Sequence, residues 1–240
     1  MTDSKLWTEE SDQYTKRALA IGVDFFDPAK PHGDESNLID TFSHAYALSG
    51  LAAIKSGGNV LDVGCCAGGT LMHIHLKYPE LNLFGIDPGK ATVALFKEKN
   101  RFPKIQVEEG YSHQLAFENN SIDIVIFSMV LQWVPRKFLL ATIAETDRVL
   151  KVGGTIVIEE FLPNHNVTSV SQHNPDIRIF KEDYPNLFKA FGWYKEDYRV
   201  VKNQELADDY RKVFSVIRKC PIQEAYSFKQ APVSMPVTPA

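Results

Sequence analysis

The sequence predicts an α/β fold, a mostly parallel sheet covered by helices on both faces. Three observations predict it. Between residues 59 and 161, short β-branched or apolar runs alternate with helix-length runs, the pattern of βαβ units. The first of these strands runs into a glycine-containing turn that opens a helix. The second strand ends in an acid, Asp87. Sheets of this kind take ligands beyond the carboxyl ends of their strands.

The elements follow in order. Residues 1–55 read as an N-terminal helical cap, broken across Asp27 to Gly33. Its second half places Leu38, Phe42, Tyr46, Leu48 and Leu51 at roughly helical spacing. Residues 59–63 then read as a strand, 68–78 as a helix, 82–86 as a strand and 90–100 as a helix. Strands follow at 104–107 and 122–127, a helix at 135–150 and a strand at 155–161. Beyond Phe161 the pattern loosens, with a helix expected at 181–191 and strands at 198–201 and 213–217. The ligand-binding domain is placed at 56–219, with an acceptor-side insertion at 162–199. The tail 220–240, with four prolines, is expected to be disordered.

The chain has 240 residues, is 44% hydrophobic and carries a formal net charge of −4. That length suits one core with an elaborated edge. The mixed, mildly acidic charge gives no electrostatic footprint for nucleic acid, so no nucleic-acid partner is expected. No apolar run is long enough for a membrane span. The N-terminal stretch lacks the basic and apolar halves of a signal peptide. Cys65, Cys66 and Cys220 form neither a disulfide framework nor a zinc spacing. The chain is therefore expected to be cytoplasmic, reduced and free of metal.

The strongest local signal is VLDVGCCAGG at 60–69. Glycine permits the tight turn and close approach of a ligand. The helix start offers unpaired N–H groups to an electronegative ligand group. About 25 residues on, Asp87 can accept hydrogen bonds from the ribose hydroxyls of a nucleoside. These residues leave two ligand classes open, dinucleotides and S-adenosylmethionine. Asp62, two residues before Gly64, suits a cationic amino group and repels a pyrophosphate. Cys66 stands where the dinucleotide fingerprint has its middle glycine.

With FGIDP (84–88), EEGYSHQLAFENNSIDIVIFSMVLQWV (108–134) and RVLKVGGTIVIEE (148–160), the chain resembles class I S-adenosylmethionine-dependent methyltransferases of the small-molecule kind. The match covers roughly residues 58–162. The resemblance implies a Rossmann-like seven-stranded sheet with one antiparallel strand near its end, and 213–217 in the closing pair. It implies that the turn of Asp62, Gly64, Cys65, Cys66 and Gly68 holds the methionine part of the cofactor. Asp87 would bind the ribose and Pro88 would lie near the adenine. Tyr111 and Ser112 would flank the adenine, and Ser128 and Met129 would lie near the sulfonium. The product would be S-adenosylhomocysteine. Two positions depart from the family pattern: Cys66 replaces a common glycine, and Tyr111 a common aspartate.

The acceptor is expected to be a small molecule, with its methylated atom left open. Transfer from a sulfonium needs a base only when the acceptor must lose a proton. Candidate catalytic groups are His165, in the loop after the fifth strand, and Glu160, at that strand's end beside Glu159. His173 is a lesser version of the His165 reading. Tyr14, in the N-terminal helix, and Arg178 are candidate acceptor contacts, with Lys181 a further cation beside Arg178. A nicotinamide-dependent oxidoreductase and a non-catalytic binding module are the competing readings.

Overall fold

The computed structural model describes residues 3–20, 35–51, 57–171, 175–203 and 210–221. The break at 27–33, His173 and the tail from 222 onward lie outside them.

Two helices come first, α1 (Asp3–Ala20) and α2 (Glu35–Leu48). The alternating region then gives β1 (Asn59–Val63), α3 (Gly69–Lys77), β2 (Asn82–Asp87), α4 (Lys90–Lys99), β3 (Ile105–Glu109) and β4 (Ile122–Ser128). A single 3-10 turn (Leu131–Trp133) leads to α5 (Arg136–Val149) and β5 (Leu150–Phe161). The remainder is β6 (Val167–Val170), β7 (Arg178–Lys181), α6 (Tyr184–Lys189), β8 (Tyr194–Lys202) and β9 (Lys212–Lys219).

Seven strands form one sheet in the order β3-β2-β1-β4-β5-β9-β8. Strands β1 to β5 pair in parallel, and β9 runs antiparallel to both β5 and β8. This is the Rossmann-like sheet that the sequence implies. Successive residues along the central strands alternate between two cores. Val60, Ile124, Ile126 and Val157 face one cluster with Leu38 and Phe42 of α2. Leu61, Val125, Phe127 and Ile158 face the other, with Leu139 and Ile143 of α5. Helices therefore cover both faces, which explains the continuous apolar character of these strands. The N-terminal 55 residues divide in role: α2 covers a sheet face, and α1 packs on α4 above the strand ends.

The insertion differs from expectation. Residues 167–170 and 178–181 form a separate antiparallel hairpin, with Val170 paired to Arg178 and Val167 to Lys181. Lys181 is thus in a strand, and the helix expected over 181–191 shrinks to α6. Asp183 begins α6 by accepting the Asn186 N–H, and Pro185 occupies its first turn. Apolar spacing alone does not see that cap, so it overextends the helix toward the N-terminus.

Gly85 in β2 shows how tightly the first turn is pressed onto the sheet. A β-carbon there would lie 2.5 Å from Cys65 Sγ and 2.9 Å from Leu71 Cδ1. Overpacking of this sort costs about 1–3 kcal/mol. Gly85→Ala is expected to lower the unfolding free energy by that amount, read as a lower urea midpoint at an unchanged m-value; an unaltered midpoint would show that the turn has room to move.

Candidate functional site

Strand order reverses between β1 and β4, and the crossovers on either side run in opposite directions. This leaves a crevice at the carboxyl ends of the strands. A cavity of about 600 Å³ occupies it, within the range of small-molecule sites.

The turn after β1 forms one wall. Gly64 has φ 75° and lies against Val130, where a β-carbon would come within 2.5 Å of Cγ2. The N–H groups of Gly64 and Cys65 both donate to the Ile86 carbonyl, at 2.8 and 3.1 Å, which fastens the turn to the end of β2. Cys66 has φ 51°, a left-handed conformation costing a non-glycine residue about 1–2 kcal/mol. That strain accounts for the glycine usual at this place in the family it resembles. Its thiol lies 3.4 Å from Thr15 Oγ1 of α1, and burial pushes it up to about 12, so it stays protonated at neutral pH.

Asp87 ends β2 with its carboxyl group in the cavity wall. It accepts the Cys66 N–H at 2.9 Å and the Gly89 N–H at 2.8 Å, and a short bond from the Ser11 hydroxyl of α1. Burial raises its pKa, while these three donors pull the other way. A buried carboxylate facing a cavity, beside a glycine turn whose space a side chain would fill, fits the ribose and methionine parts of a nucleoside ligand.

Pro88, Tyr111 and Ser112 continue the wall. The Tyr111 hydroxyl lies 3.3 Å from Thr8 Oγ1, and Trp7 sits beside its ring at 6.0 Å between centroids. The Ser112 hydroxyl pairs with Thr142 at 2.8 Å. Ser128 and Met129, at the end of β4, line the same cavity. Three residues of the expected cofactor set sit behind the wall. Asp62 and Cys65 are buried and Gly68 begins α3, with none of the three lining the cavity.

The candidate catalytic groups are placed differently from expectation. His165 lies on an exposed bend after β5, away from the cavity lining. Glu160 is fully buried and turns into the protein, where Oε1 accepts the N–H groups of Val130 and Leu131 at 2.7 and 2.5 Å. It holds the 3-10 turn in place. Its neighbour Glu159 accepts the Ser128 hydroxyl at 2.7 Å and pairs with Lys212 at 3.0 Å. Arg178 is exposed and outside the lining, whereas Tyr14 is part of it.

Ser11 and Glu10 carry no sequence signal, since their place depends on how α1 docks. Ser11 reaches Asp87, and Glu10 lines the cavity with Oε1 held by Arg17 at 3.1 Å. Phe161 and Tyr210 likewise enter the lining. Among the described residues, no group of three or more His, Cys, Asp or Glu is placed to hold a metal ion.

Burial pushes Glu160 up to about 8 from 4.5. Oε1 takes both backbone donors and Oε2 has no partner among the described residues, which suits a proton on Oε2. An acid with a raised native pKa binds its proton more firmly when folded. Its effect is nil below about 4.5, and stability falls as pH rises from there towards 8. Glu160→Gln keeps an accepting oxygen and cannot ionise. Its melting temperature is expected to fall less than that of the wild type between pH 5 and 8; parallel melting curves would overturn the assignment.

Residues 61–158 match the family described as methyltransferase domain. Demethylmenaquinone methyltransferase of Staphylococcus saprophyticus is 32% identical over 138 residues, covering 57% of this chain and 54% of that protein. Phthiotriol/phenolphthiotriol dimycocerosates methyltransferase of Mycobacterium tuberculosis is 29% identical over 115 residues, covering 47% of this chain and 41% of that one. The chain thus spans about half the length of these relatives, or less. In fold, it is similar to 1,6-didemethyltoxoflavin-N1-methyltransferase of Burkholderia thailandensis, solved with bound S-adenosylhomocysteine. The TM-score is 0.63 at 12% identity, over 92% of each chain. A Methanosarcina mazei S-adenosylmethionine-dependent methyltransferase gives 0.58 at 18% identity, over 75% of this chain and 97% of that one.

Proposed function

We propose that this chain, whose residues 61–158 are a methyltransferase domain of the class I S-adenosylmethionine-dependent type, transfers a methyl group to a small-molecule acceptor. The observation that carries the reading is the Asp87 carboxylate. It is buried, set at a strand end beside the 64–66 turn, and opens into a cavity large enough for a nucleoside and a second molecule. The names of the relatives, which refer to demethylmenaquinone and to phthiotriol/phenolphthiotriol dimycocerosates, are consistent with a small-molecule acceptor.

S-adenosylmethionine supplies a methyl group on a sulfonium, leaving as S-adenosylhomocysteine. The chain's own residues position and enclose. Asp87 accepts the ribose hydroxyls, and the backbone of the 64–66 turn shapes the methionine site. Pro88, Tyr111 and Ser112 border the adenine, Tyr111 replacing the usual acid with a ring and a hydroxyl. Ser128 and Met129 bring the β4 end to the reacting side, and α1, through Trp7, Ser11 and Tyr14, covers the cavity from above. Burial raises the Tyr14 hydroxyl, so it remains a neutral donor at physiological pH. Holding the acceptor in line and excluding water supply much of the rate in such a displacement.

Calorimetric titration of the purified protein with S-adenosylmethionine, and separately with NADH, tests this. Binding of S-adenosylmethionine is expected, weakened about tenfold or more in Asp87→Ala through the lost charge-assisted hydrogen bonds. Absence of binding after removal of copurified nucleoside, or NADH binding in its place, would sink the reading.

A further inference from the structure

The cavity continues beyond the expected cofactor contacts into a region walled by Trp133, Val134, Phe161, Ile179 and Tyr210. These walls are apolar or aromatic. They come from the 3-10 turn after β4, the end of β5, the β6–β7 hairpin and the segment leading into β9. Among the described residues, two side chains of the lining hold a buried polar atom without a hydrogen-bond partner, Oε2 of Glu10 and Oε1 of Gln132. Glu10 belongs to α1, next to Ser11 on the Asp87 side, and its other oxygen is held by Arg17 at 3.1 Å. Gln132 belongs to the turn that also carries Trp133, and it is only 2% exposed. Its Nε2 meets the Met129 sulfur at 4.0 Å, a weak contact. Neither end of this amide therefore has an oxygen or nitrogen partner among the described residues.

The turn itself offers the amide nothing. Its backbone is fixed from β5: the Glu159 carbonyl accepts the Met129 N–H at 2.8 Å, and Glu160 Oε1 accepts those of Val130 and Leu131. The N–H groups of Trp133 and Val134 go to the Val130 and Leu131 carbonyls at 2.9 and 3.2 Å. The backbone donors on either side of Gln132 are thus already used. Met129 holds φ 58°, a conformation that side chains rarely adopt and one that persists where surrounding contacts enforce it, often at ligand sites. A buried amide without partners is costly unless an occupant of the cavity completes it. Half a turn about its last bond exchanges oxygen and nitrogen, so the amide can offer both to one ligand edge.

Resting on the methyl-transfer reading, we propose that Gln132 determines acceptor specificity. The acceptor is then an apolar, ring-bearing molecule with a neutral hydrogen-bond donor and acceptor side by side on one edge, as in a primary amide or a lactam ring. The chemistry of the walls supports this choice. Trp133, Phe161 and Tyr210 offer ring faces and edges to the body of such a molecule. Its donor meets Gln132 Oε1 while its acceptor meets Nε2, so both ends of the amide are completed at once. A lone carbonyl completes one end and leaves the other unpaired in a buried place. A neutral edge also buries no further charge in an apolar region. Gln132 is distinct from the groups expected to hold the cofactor.

The test uses three neutral probes of one shape: 2-naphthamide, with donor and acceptor, 2-acetylnaphthalene, with an acceptor only, and 2-isopropenylnaphthalene, with neither. Each is titrated by calorimetry into protein saturated with S-adenosylhomocysteine and into cofactor-free protein. Gln132→Met is expected to weaken the naphthamide about tenfold, the acetyl compound less and the isopropenyl compound not at all. Gln132→Leu, a second apolar variant, should give the same order. An amide without partners stabilises nothing in the unliganded protein, so Gln132→Met should melt at or above the wild-type temperature. A merely structural glutamine would instead lower the melting temperature and weaken all three probes alike. That result, or failure of all three probes to bind wild type, overturns the proposal. Absence of S-adenosylhomocysteine binding by wild type counts instead against the methyl-transfer reading, because the probe order is also scored without cofactor.

Discussion

One carboxylate joins the parts of this site. Asp87 sits where β2 stops, and its two oxygens take donors from three separate segments: the turn after β1, the turn before α4, and helix α1. The first two are backbone N–H groups that would otherwise be unpaired in a buried place, which is costly. The third is a side chain more than seventy residues away in sequence. Because the acid is almost wholly buried, its charge depends on these donors, and the donors are placed by it. The Gly64 turn, the left-handed Cys66 and the seat of α1 are therefore not independent features. Each is set with respect to the same two oxygen atoms.

A similar economy operates at the end of β5, two strands further along the sheet from β1. Glu160 also accepts two backbone N–H groups, those that open the turn after β4. Asp87 borders a cavity, and there too burial raises the pKa while its donors favour the ionised form. Glu160 is sealed in, and burial outweighs its donors, so the neutral acid is favoured there. Two carboxyl groups at the ends of parallel strands thus do different work. One borders the cavity and the other organises the loop that carries Gln132 and Trp133 into it.

This contrast also explains what the sequence could and could not reveal. The alternation of β1 through β5 with their helices was legible because apolar periodicity directly reflects burial on two sheet faces. The order of the closing strands followed from the resemblance. The Gly64 turn and Asp87 were legible because glycine and a strand-end acid are local requirements. The carboxylates of Glu159 and Glu160 were not separable, since which one points inward depends on the register of β5 against β4 and β9. His165 attracted interest by residue type and by its place in the loop after the fifth strand, and neither says which way that loop turns. The β6–β7 hairpin escaped notice for another reason. Its strands are four residues each, with half their side chains exposed, so they bear little periodic signal. Ser11 and Glu10 act only through the docking of α1 on α4, which involves Asp12 accepting the Ala91 and Thr92 N–H groups.

That docking bears on how a nucleoside would enter. Asp12 caps the start of α4 and Thr15 bonds Thr92 at 2.7 Å, so α1 is held to the sheet on the side next to Asp87. Ser11 then donates to the same carboxylate that would accept from a ribose. A serine hydroxyl donates one proton and still accepts through its lone pairs. It need not be expelled for a ribose to bind. By rotating, it can keep its bond to Asp87 and accept from the sugar, or yield the carboxylate and find another partner. In either arrangement α1 remains part of the wall over the ligand. The N-terminal helix is thereby joined through Asp87 to the turn after β1 and the start of α4, while Trp133, Phe161, Ile179 and Tyr210 line the cavity from other elements.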